Sequence, residues 1–558
     1  MIRSDKIDML VAVCIVLALA AGIVILTLAG TFVAGVENES ESLYAEEIFN
    51  TDIISIEILA DETEWQNMLD NAINEQYIVA DVIVNGIRFE DVGVRPKGNS
   101  SLTQVANSDS DRYSFRLQFD EYVKGQTCFG LESFVLNNML GDNTYMKEYV
   151  SYELMRQAGV DVPLFGYADI QVNGSGWGLY LAVELYNDSY EERVFGDGEG
   201  TFYSVKKSGM GQNGSAGGSL EYMDDSTASY GDIFDNVIGK GTESDYQQVV
   251  EAIRALSEGT ALEEYYDIDQ ILRYLAAHTL VVNLDSYSSS MAQNYVICER
   301  EGKITILPWD YNLSWGGFQS GNAASVVNFP IDTPVSGVEL ASRPLISVLL
   351  SNEDYLGRYH GYLQLLIVDA FAEDKMTALL KDLDGRISEY VQKDATAFCT
   401  YDEYKTALTV FEDLCQRRGE SVRGQLDGTI PATTAAQAED PALLVSAEGL
   451  DLTALGSMMG GNHGERGSWG GDEEFKSRAK TYQRGENRNQ IDFQEGVEPP
   501  EPVDGRGGME QNGNGGMRPD GAPGVAREVS SESLMLYGAL AAVLLIALLL
   551  VFRYRKKY

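Results

Sequence analysis

The sequence predicts an α+β protein of two lobes, held between two apolar spans. Three observations carry this reading. Strand patterns with Asn-Gly turns fill the first half of residues 53–426, helical periodicity fills the second half, and 9–34 and 533–552 are each almost wholly apolar. Strands grouped ahead of helices indicate α+β architecture rather than alternating β/α units.

Taken in order, residues 53–59 read as a strand and 62–71 as a short helix. Residues 77–84 and 87–95 form a hairpin around Asn85-Gly86, a dipeptide that accepts positive φ at both turn positions. A further strand runs over 113–119, an amphipathic helix over 146–158 ends at Gly159, and a second hairpin joins 168–172 to 178–185 around Asn173-Gly174. Asp267 and Gln270 offer a capping box for a helix whose buried stripe is Ile268, Ile271, Leu272, Leu275 and Leu280. Residues 344–350, 355–371, 375–391 and 401–426 show the same helical period. The predicted domain is 37–428.

The ends read differently. The first span, 9–34, is about twice as long as a secretory h-region. Arg3 and Lys6 precede it and Glu37, Glu39 and Glu41 follow it. The second, 533–552, runs straight into Arg553, Arg555, Lys556 and Lys557. The positive-inside rule puts the short ends, 1–8 and 553–558, in the cytoplasm and everything between them outside the cell membrane. Residues 429–532 are rich in Gly, Asn, Pro, Glu and Arg with no apolar period, and read as a disordered tether.

The formal charge is −44 at pH 7, or −48 once the four tail cations are set aside. A surface of that sign repels nucleic acid and anionic lipid, and it disfavours a nucleotide unless local cations or metal offset it. Five cysteines and three histidines leave little material for a disulfide scaffold, a zinc peptidase or a Ser-His-Asp mechanism. Cys128, Cys298, Cys399 and Cys415 allow at most two bridges, and Cys399 with Cys415, which flank a helical segment in an oxidising location, are the favoured pair.

Chemistry concentrates in 283–316. Tyr295 to Arg300 reads as a strand, Glu301-Gly302 as its turn and Lys303 to Trp309 as the returning strand. Pairing Arg300 with Lys303 sets Asn294 opposite Trp309 and beside Asp310, while Asp285 lies in the loop after the capped helix. Two carboxylates and a carboxamide at one end of a ribbon suit a metal–nucleotide site, although strict alternation sends Asn294 and Asp310 to opposite faces unless a bulge or strand end intervenes. Turn and cap roles are the plainer alternative.

Upstream, VGVRPKGNSSL at 92–102 places Arg95 and Lys97 ahead of Gly98, Asn99 and Ser100, the combination of cations and small residues that phosphate binding uses. SGMGQNGSAGG at 208–218 holds a formal GxGxxG after Lys206 and Lys207 with no apolar helix behind it, so it reads as a mobile loop, with a lid as the functional alternative. Among Glu148, Glu153 and Glu184, the candidate partners of Lys97 or Lys206, Glu148 reads as part of a solvated helix face. Glu184, ending an apolar strand, is the better candidate.

Together, VGVRPKGNSS, FVLNNMLGDNTYMKEYVSYELMRQAGVDVP, VNGSGWGLYLAVE, NLDSYSSSMAQNY, LPWDYNLSWGG and RPLISVLL resemble the CotH (spore coat protein H) kinase family over about 53–426. The resemblance implies an atypical protein-kinase-like fold that binds ATP with Mg2+ (or Mn2+) and phosphorylates protein serines. By position, Asp285 resembles the catalytic aspartate, and Asp310 and Asn294 the metal ligands. Arg95, Lys97, Asn99, Ser100, Arg112 and Glu184 are the expected nucleotide contacts. Two departures stand out: Asn312 where many members carry a second aspartate, and Arg112 where lysine is common. The Asp285–Asn294 spacing of nine residues also differs from the five of ordinary kinases. The expectation is a membrane-anchored, extracytoplasmic enzyme that transfers the γ-phosphoryl group of ATP to Ser or Thr of a surface or coat protein. The alternative is a non-catalytic surface binding or adhesion module on the same fold.

Overall fold

A computed structural model of the chain describes residues 42–196, 200–207 and 217–456. Seven strands close a barrel: β1 (Ile54–Leu59), β2 (Ile78–Val84), β3 (Ile87–Lys97), β4 (Ser114–Gln118), β5 (Ser133–Asn137), β6 (Phe165–Val172) and β7 (Ser175–Glu184), in the order 1-2-3-4-5-7-6. Neighbours are antiparallel except β1 and β6, which pair in parallel from Ile54↔Ala168 and so close the sheet without a free edge. Alternate residues such as Ile54, Ile56 and Ile58 fill the barrel, each no more than 1% exposed.

Strand β5 is buried on both faces. Phe134 and Leu136 point into the barrel core, while Val135 joins the helical core outside. A strand covered on both sides loses the polar–apolar alternation that marks a half-buried one, which is why 133–137 escaped the pattern reading. The same holds for β8 (Thr201–Val205), the middle of a second sheet with order β11-β10-β8-β9, where β9 is Val237–Ile238, β10 Tyr295–Arg300 and β11 Lys303–Pro308.

The helical part begins with α1 (Lys147–Gln157), which lies in the core with the barrel's outer face. Its scaffold is α2 (Ile268–Val281), α3 (Pro344–Leu350), α4 (Glu353–Ala370), α5 (Lys375–Lys393) and α6 (Tyr401–Asp427). The capping box of α6 is complete, with the Thr400 side chain accepting from Glu403 N and Glu403 answering to Thr400 N. At α2 only half of the expected box forms, as Asp267 accepts from Gln270 N at 3.1 Å.

The C-terminal carbonyls of α2 have lost their helical donors and need others. Trp315 N donates to Val281 O at 2.7 Å. The buried Arg418 of α6 donates to Thr279 O at 2.9 Å and Leu280 O at 3.1 Å, and also to Val327 and Phe329 carbonyls. With no carboxylate beside it among the described residues, Arg418 is pushed down to about 9 by burial. These bonds fix the point from which the loop carrying Asp285 departs.

Two expectations are corrected. The fold continues past 428 to Gly456: Ile430, Leu450 and Leu455 are buried, and Leu455 O accepts from Asn143 N at 3.0 Å. Those anchors follow no regular period, so 429–456 resembled the tether in composition. Cys399 and Cys415 are both free thiols. One precedes α6 and the other lies about 20 Å along it, too far for a disulfide. Both apolar spans, the rest of the tether and 208–216 of the glycine-rich loop lie outside the described residues. Among the described residues no helix is long and apolar enough to cross a membrane.

Candidate functional site

The register is the one expected from sequence, with Arg300 opposite Lys303 and Tyr295 opposite Pro308. Asn294 and Asp310 lie just outside the two strand ends, at φ 57° and 63°. Both are left-handed, and a left-handed residue at a strand end releases its side chain from alternation. The strand-end exception thus operates on both sides of the ribbon, and it brings the carboxamide and the carboxylate to one place.

Asp285 sits in the loop between α2 and β10. Asn294 Nδ2 donates to its Oδ2 at 3.1 Å and to its carbonyl at 2.9 Å, while Gln293 Nε2 donates to Oδ1 at 3.0 Å. Asn283 ties the loop to the second carboxylate: its Oδ1 accepts from Asp285 N at 3.1 Å and its Nδ2 donates to Asp310 O at 3.2 Å. Beneath them His278, held neutral by burial that pushes it down to about 3, contacts Tyr311 Oη at 2.8 Å and Ser288 Oγ at 3.0 Å. Loop and ribbon are therefore joined at two levels.

Removal from water and repulsion by Asp310 push the Asp285 carboxyl up to about 7, against the bonds from Gln293 and Asn294. Burial also raises Asp310, opposed by the positive charges of Lys97 and Lys206. Asp310 receives no side-chain hydrogen bond from the described residues. A carboxyl raised by a second, buried carboxylate suits a cation beside the pair. Among the described residues no three His, Cys, Asp or Glu side chains converge to cage a metal. Magnesium fits such a site, since it takes one or two carboxylates and completes its octahedron with phosphate oxygens and water.

The opposite wall comes from the barrel. Arg95 and Lys97 are two residues apart on β3 and share a face; Arg116 of β4 stands opposite Arg95. Lys206, at the end of β8, is electrostatically coupled to Lys97, Arg95 and Arg116. Glu75 is ion-paired with Arg95, and Glu121 and Asp120 act on Arg116. Lys97 Nζ donates to Asn137 Oδ1 at 2.8 Å and lies 5.8 Å from the Trp309 ring centroid. In a chain of net charge −44, Lys97 and Lys206 acting on Asp310, with Arg95 and Arg116 close to Lys206, form a local site for a polyanion with its metal.

The remaining expected contacts divide. Asn99 and Ser100 stand at the start of a short helix, Ser100–Ala106, two residues beyond Lys97, where the Asn99 side chain makes no cap. Arg112 does not reach the site. Wholly buried, it spends its donors on Asp394, Thr396 and the carbonyls of Asn138 and Leu179. Glu184 is likewise committed, since its buried carboxylate accepts from Tyr44 Oη, Leu164 N and the Arg193 guanidinium. Each is saturated by protein partners, with nothing left for a nucleotide.

Glu148 reverses its expected role. It is 1% exposed, accepts from Asn137 Nδ2 at 3.0 Å and from Tyr311 N at 3.4 Å, and is pushed up to about 7 by burial and by Asp310. The reading of a solvated face fails because α1 is buried on the side that Glu148 shares with Ser151 and Met155. Gln293 and Asn137 had no motif of their own. The available signal was a polar residue adjoining Asn294 in one case and ending the apolar run FVL in the other.

A β-barrel wall bearing cations, facing two carboxylates on a loop and ribbon of a helical lobe, defines a mixed α+β protein of kinase-like arrangement. The family model described as CotH kinase protein matches residues 94–422, and the chain belongs to the CotH family. It is similar to the inner spore coat protein H of Bacillus subtilis (strain 168), at 24% identity over 215 residues, 37% of this chain and 56% of that protein. The match thus spans little more than half of the relative's length.

Stability should record the two raised carboxyls. In the folded protein Asp285 and Glu148 hold protons up to about 7, whereas their ordinary values are 3.8 and 4.5. Between those limits the folded state binds more protons than the unfolded chain, so their contribution is present in full below about pH 4 and is lost as pH rises through 7. The D285N/E148Q variant is expected to lose less stability than the parent between pH 5 and pH 8, read as the change in urea midpoint. Equal losses would contradict the assignment.

Proposed function

We propose that this protein is a phosphotransferase of the cell surface or coat, moving the γ-phosphoryl group of ATP to a Ser or Thr hydroxyl of a protein. The observation that carries the reading is that Lys97 and Lys206 act on Asp310, whose charge in turn raises Asp285, with Arg95 beside Lys206. Arg95 and Lys97 bind and orient the phosphates from the barrel side. Asp310 and the Asn294 side-chain oxygen are the ligands that would hold magnesium, which when bound neutralises phosphate charge. Asp285, oriented by Gln293 and Asn294, accepts the proton of the acceptor hydroxyl. A coat or surface location is supported by the relative's name, and anchoring in the membrane by the apolar sequences at 9–34 and 533–552.

The purified chain, given magnesium and γ-labelled ATP together with a surface or coat protein extract, is expected to label protein on Ser or Thr. Magnesium–ATP is also expected to raise its melting temperature. With Asp285 as base, the rate should climb as pH rises toward 7. Excess magnesium should move that climb to lower pH, because a cation favours the ionised carboxylate. No label and no thermal shift would remove the enzyme reading in favour of a surface binding module.

A further inference from the structure

Among the described residues Lys97 makes no direct ion pair. Its ammonium donates to Asn137 Oδ1 at 2.8 Å, and Nδ2 of the same amide donates to Glu148 Oε2 at 3.0 Å. The other Glu148 oxygen accepts from Tyr311 N at 3.4 Å, one residue beyond Asp310. The connection runs from β3 through the last residue of β5 to α1 and on to the carboxylate ribbon. Asn137 is 8% exposed and Glu148 1%, so little water can replace either bond.

We propose that Asn137 is a positioning residue for the phosphate-binding site, its carboxamide transmitting the hold of Glu148 to Lys97. The chemistry of the bridge singles out an amide. One end must accept from an ammonium while the other donates to a carboxyl group, and among uncharged side chains of this length only asparagine offers both in one rigid plane. An aspartate would keep the acceptor and set a second carboxylate against Glu148. Alanine would leave the ammonium free to rotate on its four-carbon stem, and binding would then bear the cost of ordering it. The bridge also sets the spacing of the two walls, because Glu148 is bonded to the residue that follows Asp310.

This inference rests on the reading of Lys97 as a phosphate ligand, and the test separates the two. Binding of magnesium with a non-hydrolysable ATP analogue is measured by calorimetry on the full chain and on N137A, N137D, K97A and the K97A/N137A double variant. Hydrogen bonds to charged groups are worth about 1.5–3 kcal/mol, so N137A is expected to weaken binding by about tenfold or more. K97A should weaken it at least as much, and the double variant should lose little beyond K97A alone, because the amide acts through the lysine. N137D, an isostere that keeps the packing, should lose affinity at pH 8 much as N137A does, which preserves the test if the alanine variant fails to fold. Parental affinity in folded N137A or N137D beside a weakened K97A would overturn the proposal alone, as would losses that add fully in the double variant. An unaffected K97A, or a parent that binds no nucleotide, would overturn the phosphate reading and this inference with it.

Discussion

Replacing Asp285 with alanine is expected to reduce phosphoryl transfer by about 10²- to 10⁴-fold, the range for loss of a general base, while magnesium–nucleotide binding falls far less. The asymmetry follows from the geometry. Asp285 is held by Gln293 and Asn294 through hydrogen bonds that orient its carboxylate, which suits a group that must meet an acceptor proton. Asp310 takes no such donor from the described residues and faces Lys97 and Lys206, which suits a ligand. Asp310→Ala should therefore lower nucleotide affinity together with transfer. Single-turnover transfer and calorimetric binding, run side by side on D285A and D310A, check the division of roles. Equal binding losses in the two variants would erase it. Parental transfer in D285A would assign the base elsewhere.

Much of this site was legible because its parts are close in sequence. Asp285, Asn294 and Asp310 fall within 26 residues, and the turn at Glu301-Gly302 fixes the register that brings the last two together. What the pattern left open was the direction of their side chains. The left-handed backbone at Asn294 and Asp310 decided it, and no rule of alternation supplies that. Arg112 and Glu184 show the opposite limit. Each has the right charge in a family-like motif, but its partners lie far along the chain: Asp394 is 282 residues from Arg112, and Tyr44 is 140 from Glu184. A charge near an active-site motif and a charge that holds two parts of a fold together look alike in one dimension. Glu148 was misread for the same reason, since the exposure of a helix face depends on what covers it.

The largest stability effect is expected at the Arg112–Asp394 pair. The Asp394 carboxylate receives Arg112 Nη1 at 2.9 Å on both oxygens, Leu179 N at 3.0 Å and Thr396 N at 3.0 Å. Arg112 lies 4.5 Å from the Tyr180 ring centroid, and both charged side chains are fully buried. The contact joins the start of β4 in the barrel to the end of α5 in the helical part. Gly178, at φ 144°, allows the approach, because a Cβ there would stand 2.4 Å from both Arg112 and Asp394 atoms. Removing one partner strands a buried charge, so D394A is expected to cost about 3–5 kcal/mol in urea unfolding. R112M/D394L, which removes both charges together, should recover much of that loss. A single variant within 1 kcal/mol of the parent would show that water reaches the pair. Arg112 Nε also holds Asn138 O at 2.9 Å, and Asn138 adjoins the amide on which Lys97 rests. A folded R112M/D394L protein should therefore show weakened nucleotide binding, because the strand end carrying Asn137 has lost the donor that fixes its neighbour.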